Sequence, residues 1–135
     1  MGAPELTVIS PALDEAERLP RLLLQLRRQR GVTLEILVAD GGSRDETVGL
    51  ARAGGARLLH TAPGRGGQMN AAAREAASAQ LLFLHADSGL NDELALQRAL
   101  EAMRRFRLSH GERCAGHFRL AFTELPPDSA ALFRF

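Results

Sequence analysis

The chain has 135 residues, a formal charge of +1 from 17 basic and 16 acidic residues, one cysteine, and neither Trp nor Tyr. This length is one domain; near-neutrality offers no general field for nucleic acid or a membrane surface, and the missing Trp and Tyr argue against an RNA-stacking surface. Every basic residue is arginine, which excludes a lysine Schiff base or P-loop lysine, and the lone Cys114 excludes an internal disulfide or a multi-cysteine zinc site.

In chain order, Glu5–Ser10 reads as a first strand, followed by the breaker Pro11. A helix is predicted over about Leu19–Arg30, where Leu19, Leu22, Leu23 and Leu26 share one face, Pro20 suits the first helical position and Gly31 marks the end. Thr33–Asp40 is a second strand. Ser43 and Glu46 have capping-box spacing for a helix to about Ala53, closed by Gly54-Gly55. Ala56–His60 is a short third strand, Thr61–Gly67 a loop, Gln68–Ala79 an Ala-rich helix and Gln80–His85 a fourth strand. Asp92–Arg107 is a helix with Leu96, Ala99, Leu100 and Met103 on one face, and Cys114–Thr123 a fifth strand.

The alternation argues for an α/β fold with a mostly parallel sheet flanked by helices. With no repeat and no linker, residues 1–135 read as a single domain. No run approaches the roughly 20 apolar residues of a membrane helix. The first residues lack a basic region, so no signal peptide is expected and the expected location is cytoplasmic. The apolar segment from Ala130 to Phe135 reads as the start of a helix that needs further partners; homo-oligomerisation through it is one expectation.

In an open parallel sheet ligands bind at the carboxyl edge. Ser10, Asp40, His60, His85 and Asp87 all stand at predicted strand ends. Asp40 and Asp87 are the best candidates for polar ligand contacts; Asp87 would hold a cation, and a cation implies phosphate. Each also has a plainer role, Asp40 and Asp87 as turn residues, Glu15 as a first-turn carboxylate, His85 as an edge histidine. The loop Pro63-Gly64-Arg65-Gly66-Gly67-Gln68 lets backbone approach a ligand, offers Arg65 to a phosphate and leads to a helix N-terminus. It is neither a Walker motif nor a dinucleotide fingerprint. His60, His110 and His117 show no ligand spacing.

Four segments in order resemble the family 2 glycosyltransferases. Val8-Ile9-Ser10-Pro11-Ala12-Leu13-Asp14-Glu15 resembles the family's I-x-P-x-x-N-E opening, with Asp14 where Asn is usual. Val38-Ala39-Asp40-Gly41-Gly42-Ser43-Arg44-Asp45-Glu46-Thr47 resembles its V-D-D/G-G-S-x-D-x-T segment. The stretch from Arg65 to Asn70 resembles the loop and helix start that border the nucleotide, and Phe83-Leu84-His85-Ala86-Asp87-Ser88 its D-x-D segment, with His85 in place of the first acid. The wording of these segments is most similar to a bacterial subgroup, the rSAM/selenodomain-associated transferase 2 proteins, and Gly116-His117-Phe118-Arg119-Leu120 fits that subgroup's next strand.

The resemblance implies a GT-A (Rossmann-like) fold and an inverting transferase that uses a UDP- or GDP-linked sugar and a Mg or Mn ion. Pro11, Ala12 and Glu15 would line the base and ribose pocket, and Asp40, with Gly42 beside it, would contact the nucleobase. Arg65, Gln68 and Asn70 would lie near the nucleotide, His85 and Ala86 beside the ribose, and Asp87 on the divalent cation. The family's acidic motif for deprotonating the acceptor has no match, since Glu124 and Asp128 are the only acids after Glu112. The chain is therefore expected to be the donor-binding half of a longer transferase, lacking the acceptor half, with no catalytic residue assigned. A nucleotidyltransferase is disfavoured, because strand one is not followed by a Gly-rich loop ending in Arg with a Lys. A non-catalytic nucleotide-binding or assembly module is the other alternative.

Overall fold

The computed structural model describes residues 2–90 and 92–119. Among the described residues, those up to Glu101 form one compact unit and those from Ala102 belong to another. The first unit is built on strands β1 (Leu6–Ala12), β2 (Leu34–Asp40), β3 (Arg57–His60) and β4 (Leu81–Phe83), in the order β3-β2-β1-β4 and all parallel. The helices are α1 (Leu19–Arg27), α2 (Thr47–Ala53), α3 (Arg65–Glu75) and α4 (Ala95–His110).

Strands covered on both faces need apolar side chains on both, which is why the runs at β1 and β2 barely alternate. On one face Leu6, Val8, Ala12, Ile36 and Val38 meet Leu19, Leu22, Leu23 and Leu26 of α1, Ala51 of α2, and Leu96 and Leu100 of α4. The predicted leucine face of α1 is thus the face that is buried, and each such leucine contributes about 1.5–3 kcal/mol. On the other face Ile9, Leu37 and Ala39 pack on Ala72 of α3. Gly54 lets α1 and α2 close up, since a Cβ there would lie 2.5 Å from Leu23 Cδ1.

The ladder between β1 and β4 has a defined end. Thr7 N donates to Gln80 O at 3.0 Å and Leu84 N to Ile9 O at 2.9 Å. The next bond would need an N–H on residue 11, and proline has none. Pairing with β4 therefore stops at Ile9–Phe83, whereas β1 stays beside β2 as far as Ala12–Asp40. Because β1 runs on to Ala12, Ser10 lies inside the strand rather than on the rim expected for it. Its hydroxyl is buried and has no hydrogen-bond partner among the described residues.

Several boundaries differ from the sequence expectation. Helix α3 begins at Arg65, so Arg65-Gly66-Gly67 is helix rather than loop, and it ends at Glu75. The capping box does not form: Glu46 is the N-cap of α2 without a side-chain cap, and Ser43 Oγ instead accepts from Asp14 N at 2.9 Å. In the second unit Phe106 and His110 stack with ring centroids 4.0 Å apart, and Arg107 pairs with Glu112. Residues 111–119 form no strand, so the expected fifth strand is absent over 114–119; its remainder lies outside the described residues. No helix of the described residues is long and apolar enough to cross a membrane.

Candidate functional site

The polar side chains of interest gather at the carboxyl ends of parallel strands. The sheet order changes direction between β1 and β4, the switch point where open α/β sheets form a ligand crevice. Asp40 ends β2, with His60 opposite it in register at the end of β3. Asp40 Oδ2 accepts from Gly42 N at 3.1 Å and Ser43 N at 3.2 Å, and its side chain is only 3% exposed. It therefore fills the turn-forming role that aspartate favours before Gly-Gly-Ser. His60 Nδ1 stands 3.7 Å from Asp40 Oδ2.

The β1–α1 and β2–α2 loops clasp one another. Asp14 adopts a left-handed conformation with φ 52°, and its Oδ1 accepts from Arg44 N at 2.7 Å and Asp45 N at 3.3 Å. Asn and Asp are the residues that tolerate this conformation best after glycine. Glu15 N donates to Thr47 Oγ1 at 2.9 Å and Ala16 N to Asp45 Oδ2 at 3.1 Å, while Thr47 Oγ1 donates to Asp45 Oδ1. The Thr47 hydroxyl, aided by the Thr47 and Ala16 amides and against partial desolvation, holds the Asp45 carboxyl below the usual range. In the sequence, only their place in the quoted motif marks Asp45 and Thr47. Pro11 and Ala12 are buried, and Glu15, half-buried, pairs with Arg18 at 3.4 Å.

Gln68 lies across the edge from below. Its Nε2 donates to Ala12 O at 2.9 Å and Ala39 O at 2.8 Å, and its Oε1 accepts from Gly64 N at 3.2 Å. The side chain predicted near the nucleotide is thus committed to the ends of β1 and β2 and to the loop before α3. Arg65 and Asn70, on the first turns of α3, are exposed. Past β4 the chain turns at His85-Ala86-Asp87-Ser88, with Ser88 N donating to His85 O at 2.9 Å. Ala86 is buried, His85 half-buried, and Asp87 exposed with no hydrogen bond or ion pair to any described residue.

A parallel α/β sheet with its polar groups on the carboxyl edge, beside a switch point, has the layout of a ligand-binding α/β domain. Residues 7–112 match the family described as glycosyl transferase family 2, and the chain belongs to that family. It is 34% identical over 105 residues to a PGL/p-HBAD biosynthesis glycosyltransferase of Mycobacterium tuberculosis, covering 73% of this chain and 41% of the relative. Among solved structures, the mannosyltransferase PcManGT from Pyrobaculum calidifontis, in complex with GDP-Man and Mn2+, is similar with a TM-score of 0.68 and 25% identity, over 75% of this chain and 32% of that one. S. aureus TarS 1-349, in complex with UDP, has a TM-score of 0.64 at 23% identity, over 75% of this chain and 32% of that one. These likenesses establish the GT-A fold. This chain spans less than half the length of each.

Proposed function

We propose that this chain forms the donor-binding part of a glycosyltransferase that takes a sugar from a nucleoside diphosphate and transfers it with inversion. One observation carries the reading. Asp14, Asp40 and Asp45 are all engaged by backbone N–H groups, whereas Asp87 stands exposed at the switch point with no partner among the described residues. An exposed carboxylate on a short turn is suited to a ligand that arrives from solvent.

Among the described residues no three His, Cys, Asp or Glu side chains gather into a metal site. A divalent cation here would take most of its ligands from phosphates and water with Asp87 as a protein ligand, an arrangement that suits hard ions such as Mg²⁺ and Mn²⁺. The donor set therefore fits. Such a cation, when bound, neutralises the charge that develops on the departing nucleoside diphosphate.

The ends of β2 and β4 are two strand spacings apart, about 10 Å. A nucleoside diphosphate reaches across such a gap, with its base at the corner of the edge that Asp40 supports and its phosphates at Asp87. Pro11, Ala12 and Glu15 floor the space between, His85 and Ala86 flank the ribose, and Gln68 fixes the strand ends from beneath. Arg65, exposed at the start of α3, is placed to pair with a phosphate oxygen, with Asn70 five residues further on. The wording of the motifs supports membership of the rSAM/selenodomain-associated subgroup. GDP-Man and Mn2+ in the Pyrobaculum mannosyltransferase support the donor class and the need for a cation.

Calorimetric titration of UDP and GDP, with and without Mn²⁺, tests the proposal on wild type and Asp87→Ala. Binding that strengthens with Mn²⁺ in wild type and not in the variant is expected. A folded chain that binds neither nucleotide would sink it and leave an assembly module as the better reading.

A further inference from the structure

We infer that His60 reads the nucleobase and that Asp40 acts through it as a positioning residue. The inference rests on the reading that this edge binds a nucleoside diphosphate.

Asp40 is poorly placed to meet a base directly. Both its oxygens accept backbone N–H groups, from Gly42 at 3.1 Å and from Ser43 at 3.2 and 3.3 Å, and the side chain is 3% exposed. The group that carries this corner of the edge into solvent is the imidazole opposite it. The parallel register pairs Asp40 with His60, whose side chain is 63% exposed and lies with Nδ1 3.7 Å from Asp40 Oδ2. That separation is longer than a hydrogen bond, but it leaves the carboxylate beside Nδ1. His60 has no other side-chain partner among the described residues.

A carboxylate beside one ring nitrogen decides which nitrogen holds the proton of a neutral imidazole. With Asp40 on the Nδ1 side, the neutral imidazole favours its proton on Nδ1, which leaves Nε2 as the acceptor. An acceptor at the base end of the site favours a base with a ring N–H on its pairing edge. Uracil, at N3, and guanine, at N1, have one. Cytosine and adenine have a ring acceptor at the corresponding place, which would meet Nε2 lone pair to lone pair.

The test is calorimetric titration of UDP, GDP, CDP, ADP and inorganic pyrophosphate, each with Mn²⁺, on wild type, His60→Ala and His60→Gln. Wild type should bind UDP or GDP in preference to CDP and ADP. His60→Ala should weaken the preferred nucleotide about tenfold, the worth of one hydrogen bond. It should leave CDP, ADP and pyrophosphate unchanged, and His60→Gln, which keeps an acceptor, should recover part of the loss. His60 is exposed, and circular dichroism confirms that the variants fold. Wild type that binds CDP or ADP as tightly as UDP and GDP overturns this inference alone. So does His60→Ala with unaltered selectivity, or one that weakens every ligand equally. Wild type that binds no nucleotide overturns the donor-site reading, and the inference with it.

Discussion

Gly41 and Gln68 meet closely: a Cβ on Gly41 would come within 3.1 Å of the Gln68 amide carbon, so the amide would have to give by a few tenths of an ångström. That contact lets one buried amide serve both Ala12 O and Ala39 O and so hold the ends of β1 and β2 together. Gln68→Ala should lower the unfolding free energy by about 1–3 kcal/mol through lost hydrogen bonds to buried carbonyls. Gly41→Ala should be destabilising in wild type and distinctly less so in the Gln68→Ala background. Urea unfolding of the four proteins in a double-mutant cycle reads the coupling; strict additivity would show that the two positions do not interact.

Asp14 combines a left-handed backbone with an acceptor for Arg44 N and Asp45 N. Asp14→Asn keeps both properties and should change stability by less than about 0.5 kcal/mol, the range of neutral surface substitutions. Asp14→Ala loses the acceptor and is strained at this φ, so it should cost on the order of 1–3 kcal/mol. Thermal melts of the pair decide the matter, and equal melting temperatures would count against the clasp.

Glu35 contributes to the acid limb of stability. Burial works against its charged form, but hydrogen bonds from Ala77 N and Thr7 Oγ and the Arg57 guanidinium outweigh this and hold its carboxyl below the usual range. A carboxylate with a depressed folded value adds stability that is complete above its unfolded value, about 4.3, and is lost as pH falls through the folded value. Wild type should therefore lose stability below that pH more steeply than Glu35→Gln. Parallel acid limbs in urea titrations across that range would refute the assignment.

Asp87 makes no interaction with the described residues, so removing its charge should cost the fold nothing. Asp87→Asn should melt with wild type while losing the Mn²⁺-dependent gain in nucleotide affinity. A variant that melts early, or one that keeps the gain, would show that the carboxylate serves another end.

The sheet and the face of α1 were legible because burial leaves a pattern: apolar runs for β1 and β2, and Leu19, Leu22, Leu23 and Leu26 at helical spacing. What local pattern could not show were contacts between distant residues. Arg65-Gly66-Gly67 reads as loop, since glycine disfavours helix, yet Gln68 anchors that turn on two strands and draws it into α3. Ser43 and Glu46 read as a capping box, but the Ser43 hydroxyl is taken by Asp14 N, 29 positions away. His60 shows no ligand spacing along the chain; only the register of β2 and β3 sets it opposite Asp40. The strand-end position of Asp40 was legible; the strand expected to run to His85 stops at Phe83, so His85 and Asp87 lie on the turn beyond β4, and neither that nor the burial of Asp40 and exposure of Asp87 could be read locally.

Pro11 has a consequence for how the crevice is made. Since the ring removes the one donor that would carry pairing onward, β4 leaves β1 at that point whatever side chains surround it. The opening between the strands is thus a property of the main chain, and no lever or wedge of side chains is needed to prop it apart. Residues around it are at liberty to change with the ligand while its location stays put. A single pyrrolidine ring separates the part of β1 that serves as scaffold from the part that serves as threshold.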